Sequence, residues 1–173
     1  MPRRPILLAL AFAVVTTAAI LWLVGSRASS DNGHVAVGSR APSIAGTTLD
    51  GSAFDLAGLA GHPVLINFWG PSCVPCREEF PLLAAKLTEH STDGLAVVGV
   101  LTDDPPEPAR AFASQYGASW PTVVDPTQAL KAAYRVAARP QSYFVDGNGI
   151  VRSIQIGELT DADFERQYQR IAR

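Results

Sequence analysis

Cysteine, histidine and methionine are scarce in this chain, whose 173 residues include two cysteines, three histidines and one methionine. His34, His62 and His90 are scattered without ligand spacing, which disfavours a four-ligand zinc site built with the cysteine pair. Basic residues are also in the minority. Of 14 Lys and Arg, Arg3 and Arg4 stand at the very start, and the remaining 12 face 16 acidic residues. That balance excludes the basic face a nucleic-acid partner requires. Internal repeats and low-complexity tracts are lacking too. Apolar residues are not scarce: 47% of the chain is hydrophobic and 17% charged, enough to bury a core and too apolar for a disordered chain. The length suits one ordinary globular domain and not two.

Part of the apolar content lies outside any core. The 19 residues from Ile6 to Val24 contain no ionisable side chain. As a helix they would reach roughly 28 Å, close to the ~30 Å hydrocarbon thickness of a bilayer. The apolar character runs round every face, unlike the stripe of a core helix. Arg3 and Arg4 ahead of the span orient the N-terminus in the cytoplasm, so everything after about Gly25 is expected outside. The length favours an uncleaved anchor over a cleaved signal, although Ser26-Arg27-Ala28 resembles a cleavage site. No cysteine lies near its end, which excludes a lipoprotein. The expected organisation is a cytoplasmic N-terminus and membrane anchor over 1–25, a flexible linker over 26–37 and a folded domain over 38–173.

Within that domain the periodicity alternates between short apolar runs and amphipathic stretches. Residues 43–56 alternate weakly around the turn signal Asp50-Gly51, and 59–62 make a short connection. Val64 to Phe68 reads as a strand buried on both faces, and 74–89 as a helix with Phe80, Leu83 and Leu87 on one side. A second buried strand covers 95–101. A helix over 108–116 has proline in its first turn, with Gly117 placed to end it. Then come a strand at 122–124, a helix at 127–134, and strands at 142–145 and 150–156 flanking the turn Asp146-Gly147-Asn148-Gly149. A last helix starts at Thr160, with Asp161 and Asp163 in its first turn. This order implies an α/β fold, a mixed central sheet with helices on both faces and an added N-terminal β-hairpin.

Both cysteines fall in Cys73-Val74-Pro75-Cys76, where a buried strand hands over to a helix. Unpaired N–H groups and the positive end of the dipole at a helix start stabilise a thiolate. Cys73, at the very start, is expected to be the exposed nucleophile. Cys76, one turn in, is expected to be shielded and ready to attack a mixed disulfide on Cys73. Pro75 is tolerated in a first turn because its missing N–H would have no partner there. A c-type haem attachment is excluded because Arg77, not histidine, follows Cys76. A purely structural disulfide would close a very short loop, where the entropic gain is smallest.

The run Asn67-Phe68-Trp69-Gly70-Pro71-Ser72-Cys73-Val74-Pro75-Cys76-Arg77-Glu78-Glu79-Phe80-Pro81 resembles the thioredoxin-fold thiol-disulfide oxidoreductases of the TlpA/ResA/CcmG type. Ala41-Pro42, Leu49-Asp50-Gly51 and the late Pro140-Gln141-Ser142-Tyr143-Phe144-Val145-Asp146 with Gly149 match as well. The resemblance spans roughly residues 37–171 and implies a three-layer thioredoxin-like fold. Two positions depart from the pattern: Ser72 stands where tryptophan is usual, and Arg139 where a small or β-branched residue is commoner. Pro140 matches the family's cis-proline, whose loop lies against the active disulfide and receives substrate; the residues alone read as a trans proline opening an edge strand. Trp69, Arg139 and Pro140 are therefore expected along the substrate side, Trp69 by packing and not catalysis. Glu79, three positions after Cys76, is the candidate to take or return the Cys76 proton, provided burial raises its pKa. Glu78 is expected to be a solvated acid. Asn67 replaces the aspartate of classical thioredoxins, which shifts proton handling to Glu79.

The resemblance implies dithiol-disulfide exchange outside the cytoplasmic membrane, in the reducing direction. Exported protein disulfides such as those of apocytochrome c during cytochrome c maturation are the expected substrate, with a membrane thiol carrier as electron donor and no cofactor or metal. A disulfide oxidase or isomerase is the nearest alternative, since direction depends on the potential. A peroxidase is disfavoured because Gly70 occupies the place of a required threonine. A metal chaperone of the Sco type would need CxxxC, one residue longer than the spacing here.

Overall fold

The computed structural model describes residues 35–172. The expected anchor over 1–25 and most of the linker lie outside the described residues. Among the described residues no helix is long and apolar enough to cross a membrane.

The strands are β1 (Ala45–Thr47), β2 (Ala53–Asp55), β3 (Val64–Trp69), β4 (Ala96–Leu101), β5 (Thr122–Val124), β6 (Gln141–Val145) and β7 (Val151–Ile156). The helices are α1 (Val74–Glu89), α2 (Pro106–Gln115), α3 (Ala129–Tyr134) and α4 (Asp161–Tyr168). β1 and β2 form a separate two-stranded antiparallel hairpin, while the other five make one sheet in the order β5-β4-β3-β6-β7. β3 runs parallel to β4 and antiparallel to β6, so the sheet is mixed, as the alternating pattern implied.

All six residues of β3 are buried, the signature of a central strand covered on both faces. Its alternation divides the core in two. Leu65 and Trp69 join Phe80, Leu83, Phe112 and Phe164 on one side; Val64, Ile66 and Phe68 join Val98, Tyr134 and Tyr143 on the other. Asn67 lies between Leu65 and Trp69 in that alternation, which turns its side chain toward α1.

Boundaries shift where proline and left-handed backbone intervene. α2 begins at Pro106, two residues before the expected start, because an N1 proline gives up no helical hydrogen bond. α3 begins at Ala129 and not at 127, because Gln128 has φ 62° and cannot continue a right-handed helix backwards. α1 runs over the expected 74–89 even though Pro81 lies inside it.

Candidate active site

Cys73 is the N-cap of α1. Its backbone is extended (φ −84°, ψ 107°), and its Sγ accepts from the Cys76 N–H at 3.3 Å. The Cys73 N–H in turn donates to the Gly70 carbonyl at 3.0 Å, fixing the turn between β3 and α1. The two cysteines are joined as a disulfide, with Cα atoms 5.3 Å apart. Cys76 is fully buried, and Cys73 is 8% exposed. Cys73 is thus the more accessible sulfur, as expected, but it is far less exposed than a helix-start position suggested. The turn from Gly70 and the hydrophobic cluster on the α1 side enclose it. Val74 between the cysteines is 60% exposed, which leaves an apolar side chain beside the accessible sulfur.

Glu79 follows Cys76 by one turn of α1 and is 1% exposed. Its Oε2 accepts from Asn67 Nδ2 at 3.1 Å, and its Oε1 accepts from the Leu159 N–H at 3.2 Å. Burial pushes the carboxyl up to about 7, against the opposing pull of the Asn67 and Leu159 hydrogen bonds and with added repulsion from Glu158. No cation offsets the charge among these partners, which makes the group titratable near neutral pH. Asn67 Nδ2 also donates to Ser142 Oγ at 2.9 Å. The register that sets Asn67 opposite Ser142 places both on the face toward α1. Glu78 is exposed, as expected, and lies close enough to Glu158 that the two carboxyls share a hydrogen bond and raise the Glu158 pKa.

The Arg139–Pro140 peptide is cis. Pro140 is buried, and its carbonyl accepts from the Gly157 N–H at 2.9 Å. Arg139 is 18% exposed at its side chain and is bound inward to Asp104 at 2.6 Å. The expectation that Trp69 faces substrate needs correction. Trp69 has no exposed surface and packs its ring against Phe80 and Phe112 at centroid distances of 4.7 and 5.2 Å. It belongs to the same buried cluster as Cys73 and Cys76 and offers no surface to a partner. Sequence reasoning missed Asp104, Ser142 and the Leu159 amide. Asp104 reads in sequence as an ordinary acid before a proline pair, and a backbone amide leaves no sequence signal at all.

Elsewhere, Glu89, His90 and Glu165 bring ligand atoms within 4.8 Å of one another. The Lys86 ammonium already serves this cluster, 2.9 Å from Glu89 and 2.5 Å from Glu165. The donor set is therefore an ion-pair network with a resident cation.

Comparison with known proteins agrees with this geometry. Residues 37–154 match the AhpC/TSA family. The chain is 32% identical over 161 residues to the thiol-disulfide oxidoreductase ResA of Geobacillus kaustophilus, covering 93% of this chain and 92% of that protein. It is 34% identical over 133 residues to the thioredoxin-like protein YneN of Bacillus subtilis, covering 75% and 77% respectively. A crystal structure of a putative thiol:disulfide interchange protein DsbE from Chlorobium tepidum superimposes with a TM-score of 0.75 at 27% identity, over 81% of this chain and 100% of that one.

Proposed function

Given that the chain belongs to the AhpC/TSA family and is a thiol-disulfide oxidoreductase similar to ResA, we propose that it works as a reductant outside the cytoplasmic membrane. In this reading it is held there by residues 1–25 and reduces disulfides of exported proteins, apocytochrome c during cytochrome c maturation among them. A membrane thiol carrier returns it to the dithiol form. The observation that carries the reading is the Cys73–Cys76 disulfide at the start of α1 with the buried Glu79 one turn behind it.

The dithiol form begins the cycle. The Cys73 thiolate, stabilised by the helix start, attacks one sulfur of the substrate disulfide, forming a mixed disulfide and releasing one substrate thiolate. The Cys76 thiol gives its proton to the Glu79 carboxylate and attacks Cys73 Sγ, releasing the second substrate thiolate. The substrate gains two electrons and the enzyme pair loses two. With its carboxyl near 7, Glu79 holds a proton in a useful fraction of molecules and lacks it in the rest, as a group that both takes and returns a proton must.

Equilibrating the Cys73–Cys76 pair against glutathione tests the direction. A potential well below about −200 mV supports the reductant, and one near −120 mV would assign the chain to disulfide formation instead.

A further inference from the structure

Three loops meet on one carboxylate. Asp104 Oδ2 accepts from Ser72 Oγ at 2.7 Å, from the Ser72 N–H at 3.4 Å and from Arg139 Nη1 at 2.6 Å. Arg139 Nη1 also donates to the Thr102 carbonyl at 2.6 Å, and its Nη2 to Ser72 Oγ at 3.2 Å. Ser72 immediately precedes Cys73, and Arg139 immediately precedes Pro140. The Asp104–Arg139 pair therefore ties the loop ahead of the accessible cysteine to the cis-proline loop. Gly70 belongs to the same construction, since a Cβ there would fall on the Arg139 guanidinium and the Asp104 carboxylate. Next to Asp104, Asp103 adopts φ 61°, a left-handed backbone uncommon outside glycine, and Lys131 Nζ grips its carboxylate at 2.6 and 2.7 Å.

The pair is mostly covered, with side chains 18% and 11% exposed, so solvent screens its charges less than those of a surface pair. Burial pushes the Asp104 carboxyl up, but the hydrogen bonds from Ser72 and Arg139 outweigh it and keep the group ionised. A lone guanidinium this close to the Cys73 loop would favour the thiolate, and a lone carboxylate would disfavour it.

We propose that Asp104 is a positioning residue and counter-ion: it holds Arg139 across the loop before Cys73 and cancels the guanidinium charge there. The acidity of Cys73 is then set by the start of α1 and not by Arg139. The remaining charged groups on this side are unchanged in the test below: Arg77, Glu78 and Glu79 of α1, Glu158, Lys131, and Asp103, which also lies 3.7 Å from Arg139 Nε. The inference rests on the reading of Cys73 as the attacking thiol.

The test uses the full-length reduced protein in detergent, with the rate of iodoacetamide alkylation followed against pH and the labelled cysteine mapped by mass spectrometry. Asp104→Asn leaves Arg139 with only Asp103, 3.7 Å from its Nε and already neutralised by Lys131, and is expected to raise the Cys73 acidity constant roughly three- to tenfold. Arg139→Gln leaves Asp104 uncompensated and is expected to lower it by a similar factor. The double variant should return to within about twofold of wild type. A merely structural clasp would move both single variants the same way, and that result, or no shift in either, would overturn the proposal. If Asp104→Asn fails to fold, the fall in Arg139→Gln and its recovery in the double variant decide the question. Labelling of Cys76 first in the wild-type protein is a different result, and it would instead overturn the role of Cys73.

Discussion

The two ends of helix α1 bury charge in opposite ways. At the N-terminal end Glu79 is 1% exposed and meets only neutral donors, Asn67 and the Leu159 amide. At the C-terminal end Lys86 is 4% exposed and meets three carboxylates, Glu89, Asp161 and Glu165, at 2.9, 2.7 and 2.5 Å. Burial works against the charged form in both. At Lys86 the three acids overcome it and drive the pKa well above its ordinary value; at Glu79 nothing does, and the carboxyl rises to about 7. A buried charge with full partners is locked and structural. One with neutral partners stays free to exchange its proton, and it is the latter that lies one turn from Cys76.

Lys86→Met should break the C-terminal end. It leaves Glu89, Asp161 and Glu165 crowded without their cation. Their side chains are 56%, 70% and 32% exposed, so hydration softens the penalty below that of a fully buried broken pair, to about 2 kcal/mol. Urea denaturation should record that loss while exchange activity at 25 °C is retained.

Glu79→Gln should sharpen the contrast. Because the folded pKa of Glu79 lies above its unfolded value, the folded state binds the extra proton. Stability is therefore full below about 4.5 and falls as pH rises toward 7, by about 3 kcal/mol for the whole shift. The glutamine variant cannot ionise and should lose that slope. Its amide sets one donor against the donors of Asn67 and Leu159, costing about 1 kcal/mol. The net expectation is a variant about 1–2 kcal/mol more stable than wild type at pH 8 and no more stable at pH 5.

The smallest effect is expected at His90. Burial opposes its protonation, but hydrogen bonds to Glu165 and Asp93 win and raise its pKa. A raised histidine adds stability below about pH 6.5 that is lost as pH climbs through the folded value. His90→Gln should cost less than about 1 kcal/mol at pH 5.5 and nothing measurable at pH 8.5. A larger effect at high pH would mean that its ring contact with Tyr168, at a centroid distance of 4.0 Å, matters more than its charge.

This contrast was only half legible in the sequence. Continuous apolar runs exposed β3 and β4, and the periodicity of Phe80, Leu83 and Leu87 exposed α1 to both its ends, because those signals are local. Cys73, Cys76 and Glu79 follow one another at successive turns of α1 and could be read together. The hydrogen-bond network around Glu79 could not: its partner Leu159 is distant in the chain, and Ser142, which accepts from Asn67, reaches the site only through the β3–β6 register. Arg139 was visible as a departure from the family pattern, but its carboxylate partner on the loop after β4 was not. Trp69 looked like a substrate-side residue because of its neighbours in the motif, and strand alternation instead buried it against Phe80 and Phe112. Pairings across the sheet decide such cases, and spacing along the chain does not report them.

In this mechanism Glu79 carries the proton of Cys76. The direct test is the rate at which a preformed mixed disulfide on Cys73 is resolved by Cys76, followed across pH 5 to 9 in wild type and Glu79→Gln. The wild-type profile is expected to bend near pH 7 as a coupled acid–thiol pair, and the variant to lose this inflection and resolve roughly tenfold or more slowly at neutral pH. Superimposable profiles would contradict it and leave water as the proton acceptor.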